Sequence, residues 1–132
     1  MGNVFSMTIR HNCELSGCYI KKQTPDWGFL DSSFSGKIRV TDIDGAVEAN
    51  GSLLLLEWKG IGAPVLDGQR IMFEKITAKN SIIVFIIFGD AEESIPKHIK
   101  IYSEGKLVAD KKCDKETVMK YCKAWETKAR KE

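Results

Sequence analysis

Four consecutive leucines, Leu53 to Leu56, follow an Asn50-Gly51 pair and run directly into Glu57-Trp58-Lys59. Asn-Gly is the strongest two-residue hairpin signal, because both positions tolerate the positive φ of a type I′ turn. The strand leaving that turn is apolar at successive positions, so it has no solvent face and belongs inside a sheet covered on both sides. Its partner upstream is Lys37–Asp44, with Ile38, Val40 and Ile43 among polar residues, continued by Ala46-Val47-Glu48. Downstream, Gly60-Ile61-Gly62-Ala63-Pro64 breaks the strand. A helix starts at Asp67 or Gly68, carries Ile71, Met72 and Ile76 at helical spacing and ends at Asn80.

Ser81–Gly89 reads as a second buried strand, and His98–Tyr102 with Lys106–Ala109 as a hairpin across Ser103-Glu104-Gly105. From Asp114 a final helix places Val118, Tyr121, Cys122 and Trp125 on one face and turns Lys120, Lys123 and Lys128 away from it. Before the hairpin, Pro25–Asp31 suits a short helix or turn ended by Gly36, and residues 4–22 suit a strand or extended segment. The order is mixed α/β.

At 132 residues the chain predicts a single domain, and 43% hydrophobic with 29% charged residues excludes bulk disorder. No segment approaches the ~18–20 apolar residues of a membrane span, which predicts a soluble protein with no membrane partner. Without a basic region leading into a long apolar core, the N-terminus predicts no secretion and a reducing cytoplasm. Met1-Gly2-Asn3-Val4-Phe5-Ser6 fits the short myristoylation pattern, which so few residues match easily by chance. Cys13 and Cys18 stand at the edge of zinc-knuckle spacing with His11 nearby, and Cys113 and Cys122 are spaced for neither metal nor disulfide; reduced, unligated thiols are the expectation. The net charge of +2 hides segregation: residues 106–132 carry nine Lys/Arg against five Asp/Glu, while the rest is slightly acidic. A basic C-terminal segment suits nucleic-acid contact or a solvated helix face.

Chemistry concentrates at the hairpin. Glu57 and Lys59 share a strand face as i and i+2, and Asp44 falls opposite Glu57 when the hairpin is counted back from Asn50-Gly51. Two carboxylates facing each other at the end of a buried strand repel and resist desolvation, and a divalent cation removes the conflict. Oxygen ligands of this kind suit Mg2+, which takes one or two carboxylates and fills its shell with water and phosphate oxygens. A lysine beside it can steady developing negative charge or an attacking water. The plain alternative is a Lys59 salt bridge to one acid; the apolar run, the paired strand and the following helix favour catalysis.

Asp44…Glu57-Trp58-Lys59 resembles the D…(D/E)xK signature of the PD-(D/E)xK nuclease superfamily, with a thirteen-residue offset similar to that of archaeal-type Holliday-junction resolvases and VRR-type nuclease domains. The resemblance covers residues 25–90 and extends to small phage-encoded members. It implies a restriction-endonuclease-like αβββαβ core with a mixed central sheet flanked by helices, followed by the C-terminal hairpin and basic helix over 97–132. It further implies that Asp44, Glu57 and the backbone carbonyl of Trp58 bind Mg2+, with Mn2+ able to substitute, and that Lys59 positions the nucleophilic water. Gln69 is similar to a glutamine that several branches place at the active site. Asp42, two residues before Asp44, is a possible further metal-site acid, and Asp26 or Asp31 fits either a first-helix acid or a helix cap. Ile43 stands where the pattern has proline.

The expected activity is Mg2+-dependent hydrolysis of structured, branched or single-stranded DNA in replication or recombination, with Lys120, Lys123 and Lys128 as DNA contacts and a homodimer as a possible assembly. A protein with the same fold that binds DNA without cleaving it is the alternative. Trp27, Phe29, Trp58 and Trp125 suit either core packing or stacking on unpaired bases.

Overall fold

The computed structural model describes residues 25–131, so the extended segment at 4–22, the myristoylation pattern and the Cys13–Cys18 pair lie outside the described residues. The chain divides into two compact units, with the boundary in sequence between Thr41 and Asp42. In the first, Trp27–Ser33 forms a 3-10 helix whose cap is Asp26, its carboxylate accepting from the Gly28 N–H at 2.8 Å. Asp31 pairs with Arg39 at 3.6 Å. Trp27 and Phe29 stack on each other at 6.4 Å and are exposed rather than packed in a core.

The second unit is a five-stranded mixed sheet of order β1-β2-β3-β4-β5. Its strands are β1 (Gly45–Ala49), β2 (Ser52–Lys59), β3 (Ile82–Asp90), β4 (Ile95–Ser103) and β5 (Lys106–Lys112). Helix α1 (Asp67–Lys79) links β2 to β3, and α2 (Lys115–Lys131) follows β5. Among the described residues two strands, not three, precede α1.

The β1–β2 turn has Asn50 at φ 53° and Gly51 at φ 85°, the pair of positive values that a type I′ turn requires. Glu104 and Gly105, at 54° and 84°, turn β4 into β5 the same way. β2 pairs antiparallel with β1 and parallel with β3. A parallel neighbour needs a crossover, and α1 supplies it.

Alternation along β2 feeds two cores. Leu55 packs with Val84, Ile86, Phe88, Tyr102 and, from α1, Phe73. Leu54 packs on the other face with Phe85, Ile87, Ile99 and, from α2, Trp125 and Ala129. The sheet is therefore sandwiched between helices, and the leucine run is apolar throughout because each side chain meets one layer or the other. Val118, Tyr121 and Cys122 pack against the α2-side core, on the helix face that the sequence predicts. Thr77 Oγ1 ties α1 to the β4–β5 turn, accepting from the Gly105 N–H at 3.0 Å.

One expectation is corrected. Lys37–Asp44 is not a strand: pairing starts at Gly45, and Ile38 and Val40 are 59% and 40% exposed. At that point a side chain takes the next donor of the ladder, the Trp58 N–H. The Asp44 carboxylate accepts from the Trp58 N–H and the Glu57 carboxylate from the Asp44 N–H. Beyond that point β2 itself has only Lys59 left to offer. β5 runs three residues further than expected, to Lys112, because β4 offers partners as far as His98.

The β3–β4 register shifts between Phe88 and Gly89. A Cβ at position 89 would lie 2.1 Å from the Ile95 carbonyl oxygen and 2.9 Å from Pro96 Cα, both backbone atoms. Gly89→Ala is therefore expected to destabilise the protein by at least about 1–3 kcal/mol, as forced overpacking does. Thermal denaturation checks it, and an unchanged midpoint would contradict this close approach.

Candidate active site

Cross-strand partners share a sheet face, and so do registered residues of parallel neighbours. Gly45 pairs with Leu56, which puts Asp44 opposite Glu57 as the hairpin count predicts. Glu57 and Lys59 alternate with Leu55 and so stand on the α1 face, at the end where β2 leaves the sheet.

The acids interlock. Asp44 N–H donates to Glu57 Oε1 at 3.1 Å, and Trp58 N–H donates to Asp44 Oδ2 at 2.7 Å. Each carboxylate is oriented through one oxygen. Among the described residues, Asp44 Oδ1 and Glu57 Oε2 accept no hydrogen bond. A strand residue turns its N–H and C=O toward the same neighbour, so the Trp58 carbonyl faces the Asp44 side as its N–H does. The donor set of two carboxylates and a carbonyl is hard and oxygen-only, and so fits a Mg2+ site completed by water. Mn2+ suits the same donors.

Glu57 is 8% exposed, and burial pushes its carboxyl above the usual carboxylate range. The bond from the Asp44 N–H opposes that shift, the charges of Asp44 and Asp42 reinforce it, and Lys59 opposes it. Among the described residues Lys59 forms no ion pair within 4.0 Å, so the salt-bridge alternative is not what holds it.

Gln69 lies in the first turn of α1, four residues before the fully buried Phe73 and thus on the same sheet-facing stripe. Because α1 must return from the end of β2 to the start of β3, its first turn lies at the sheet end that carries Glu57 and Lys59. Gln69 Oε1 is buried without a hydrogen-bond partner among the described residues. A buried acceptor left in this state costs about 1–3 kcal/mol, and a water or ligand proton would satisfy it. Trp58 Nε1 is likewise unpartnered, on the α2 side.

Other predicted residues fall elsewhere. Asp42 precedes β1 and is exposed; its charge reaches Glu57, but among the described residues no three His, Cys, Asp or Glu side chains cluster. Asp26 and Asp31 serve the 3-10 helix and Arg39 in the first unit. Lys120, Lys123 and Lys128 are exposed on α2, which covers the opposite face of the sheet from Asp44 and Glu57. Lys123 also meets Glu126 at 3.4 Å. Besides Lys59, the α1 face of the sheet carries His98 and Lys100 of β4, together with Lys112, whose partner is His98. The alternation His98-Ile99-Lys100-Ile101-Tyr102 is the signal that would have found them.

Compared with protein-family models, curated proteins and solved structures, the chain matches none. Among the described residues no helix is long and apolar enough to cross a membrane. The class that fold and site define is an α/β protein with a mixed sheet between helices and an interlocked acid pair at the open end of its first hairpin.

The raised Glu57 pKa carries a signed consequence for the metal-free protein. A carboxyl that holds its proton more tightly folded than unfolded contributes stability below its unfolded pKa and loses it as pH rises through the folded value. Glu57→Gln keeps an oxygen for the Asp44 N–H and removes the charge. The variant is therefore expected to melt above the parent at pH 7–8 in chelator, with the gap closing toward pH 4. Melting curves across that range check it; a variant that melts lower at pH 8 would show that the ionised form is stabilised instead.

Proposed function

We propose that this chain is a Mg2+-dependent deoxyribonuclease with a restriction-endonuclease-like fold, hydrolysing DNA phosphodiester bonds at the Asp44–Glu57–Lys59 site. The observation that carries the reading is the interlocked acid pair with Lys59 on its face, free of any ion pair among the described residues. Burial of Glu57 beside the charge of the exposed Asp44 disfavours its ionised form, and cation binding gives the arrangement a purpose that packing does not. The hairpin, the α1 crossover and the parallel β3 support the fold assignment, with β1 and β2 as two of the three strands that the αβββαβ core places before its crossover helix.

In this reading Asp44 and Glu57, with the Trp58 carbonyl, hold the ion. A bound ion would supply Lewis-acid charge stabilisation and water activation there. Lys59 donates to the attacking water and to the negative charge that builds on phosphorus. Gln69 Oε1, an acceptor without a partner, takes a proton of the same water and fixes its orientation. Asp42 adds negative potential at the rim, which raises local cation concentration without adding a ligand.

Cleavage of supercoiled, single-stranded and branched DNA in Mg2+ or Mn2+ tests the assignment. Glu57→Ala is expected to abolish activity, and Lys59→Ala to reduce the rate by about 10²–10³-fold, the range for losing one charge-stabilising donor. Undiminished cleavage by either variant would refute the site. DNA binding without cleavage by the parent protein would favour the non-cleaving alternative.

A further inference from the structure

Register extends the active-site face across the sheet. Lys59 pairs with Phe88, Phe88 with His98 and His98 with Lys112; one row along, Glu57 pairs with Ile86 and Ile86 with Lys100. Strands are spaced by about 4.8 Å, so Phe88 is the immediate neighbour of Lys59 and His98 comes next. Above this row the loop after β2 closes a cleft of about 310 Å³, lined by Ile61, Gly62, Ala63, Phe88, Lys97, His98 and Lys100.

The lining has two chemical parts. Phe88 is the apolar floor, with the His98 ring set edge-on to it at 6.0 Å and the Lys100 ammonium 5.8 Å from its centroid. Ile61, 69% exposed, is the opposing apolar wall. His98 is fixed a second time, its Nε2 bonded to Asp110 Oδ1, so the imidazole plane is set before any ligand arrives. Asp110 is thereby engaged, while Lys97 and Lys100 form no ion pair among the described residues. A planar ring, an apolar wall and two ammonium groups without an ion pair among the described residues match a base and its phosphates.

We propose that this cleft binds one unpaired nucleotide of single-stranded DNA, next to the phosphate at Lys59. The base stacks between His98 and Ile61, and Lys97 and Lys100 hold its flanking phosphates. The cleft is at the small end of ligand pockets, which run from about 300 Å³. It admits one flipped or unpaired base and excludes a stacked duplex. The inference rests on the nuclease reading for the position of the scissile phosphate, and it assigns that reading a substrate class: DNA with an unpaired nucleotide beside the cleaved bond.

The test is fluorescence anisotropy of a labelled oligothymidylate with the full chain in EDTA, where no cleavage occurs, against a blunt duplex and free thymidine monophosphate. The single strand is expected to bind tightest. His98→Ala should weaken it about tenfold, as expected on losing one base-stacking contact, and His98→Phe, which keeps a planar ring, should restore it to within about threefold. Lys100→Ala should lower the log–log salt slope by about 0.7, the value for one phosphate contact on a single strand. Unchanged affinity in His98→Ala and Lys100→Ala, or duplex binding as tight as the single strand, overturns the subsite while leaving cleavage assays of Glu57→Ala free to stand. Weakened binding in these variants alongside undiminished cleavage by Glu57→Ala overturns the nuclease site and leaves the subsite as a single-strand binding cleft.

Discussion

At the open end of the first hairpin, two side chains accept backbone hydrogen bonds, one of them from the donor with which the ladder would have continued. Asp44 takes the Trp58 N–H and Glu57 takes the Asp44 N–H. Three consequences follow from that exchange. β1 therefore starts at Gly45. Each acid is oriented through one oxygen, while its second oxygen accepts no hydrogen bond among the described residues. Glu57, buried beside the charge of the exposed Asp44 at the end of a strand whose interior is hydrocarbon on both faces, is then the acid that desolvation makes dependent on a counter-charge.

The sheet around that point explains why the site sits at one end and on one face. Parallel pairing of β2 with β3 requires a crossover, and α1 makes it with Phe73 fully buried against Leu55, Val84 and Ile86. The same stripe carries Gln69 one turn earlier, so packing the helix also delivers an amide oxygen to the end of the sheet where β2 finishes. On the far face α2 closes the other core through Trp125 and Ala129. Its lysines are thereby separated from the acids by the thickness of the sheet, and the lysines that share the acid face come from β2, β4 and β5.

Much of this was legible in the sequence. Asn50-Gly51 and Glu104-Gly105 encode their turns locally, through residues that accept positive φ. The leucine run and Ser81–Gly89 announce buried strands because nothing polar interrupts them, and Asp114 with the Val118-Tyr121-Cys122-Trp125 stripe announces the last helix. Opposition of Asp44 to Glu57 followed from counting across a two-residue turn. What sequence could not supply was non-local. Ile38, Val40 and Ile43 have strand periodicity, but pairing also needs a partner, and β2 is exhausted at Lys59. Lys120, Lys123 and Lys128 read as an interface because charge pattern shows which residues are exposed, not which side of a sheet their helix covers. The row Lys59–Phe88–His98–Lys112 is assembled from four strands and has no signature in any one of them.

The acid pair is the central claim, and direct titration of the full chain with MgCl2 by isothermal calorimetry tests it most directly, without DNA and then with a non-cleavable phosphorothioate oligonucleotide. The account predicts saturable binding at one site, tightened by the oligonucleotide and lost in Asp44→Asn and Glu57→Gln. Absence of Mg2+ binding in both conditions, or equal binding by those two variants, would contradict it.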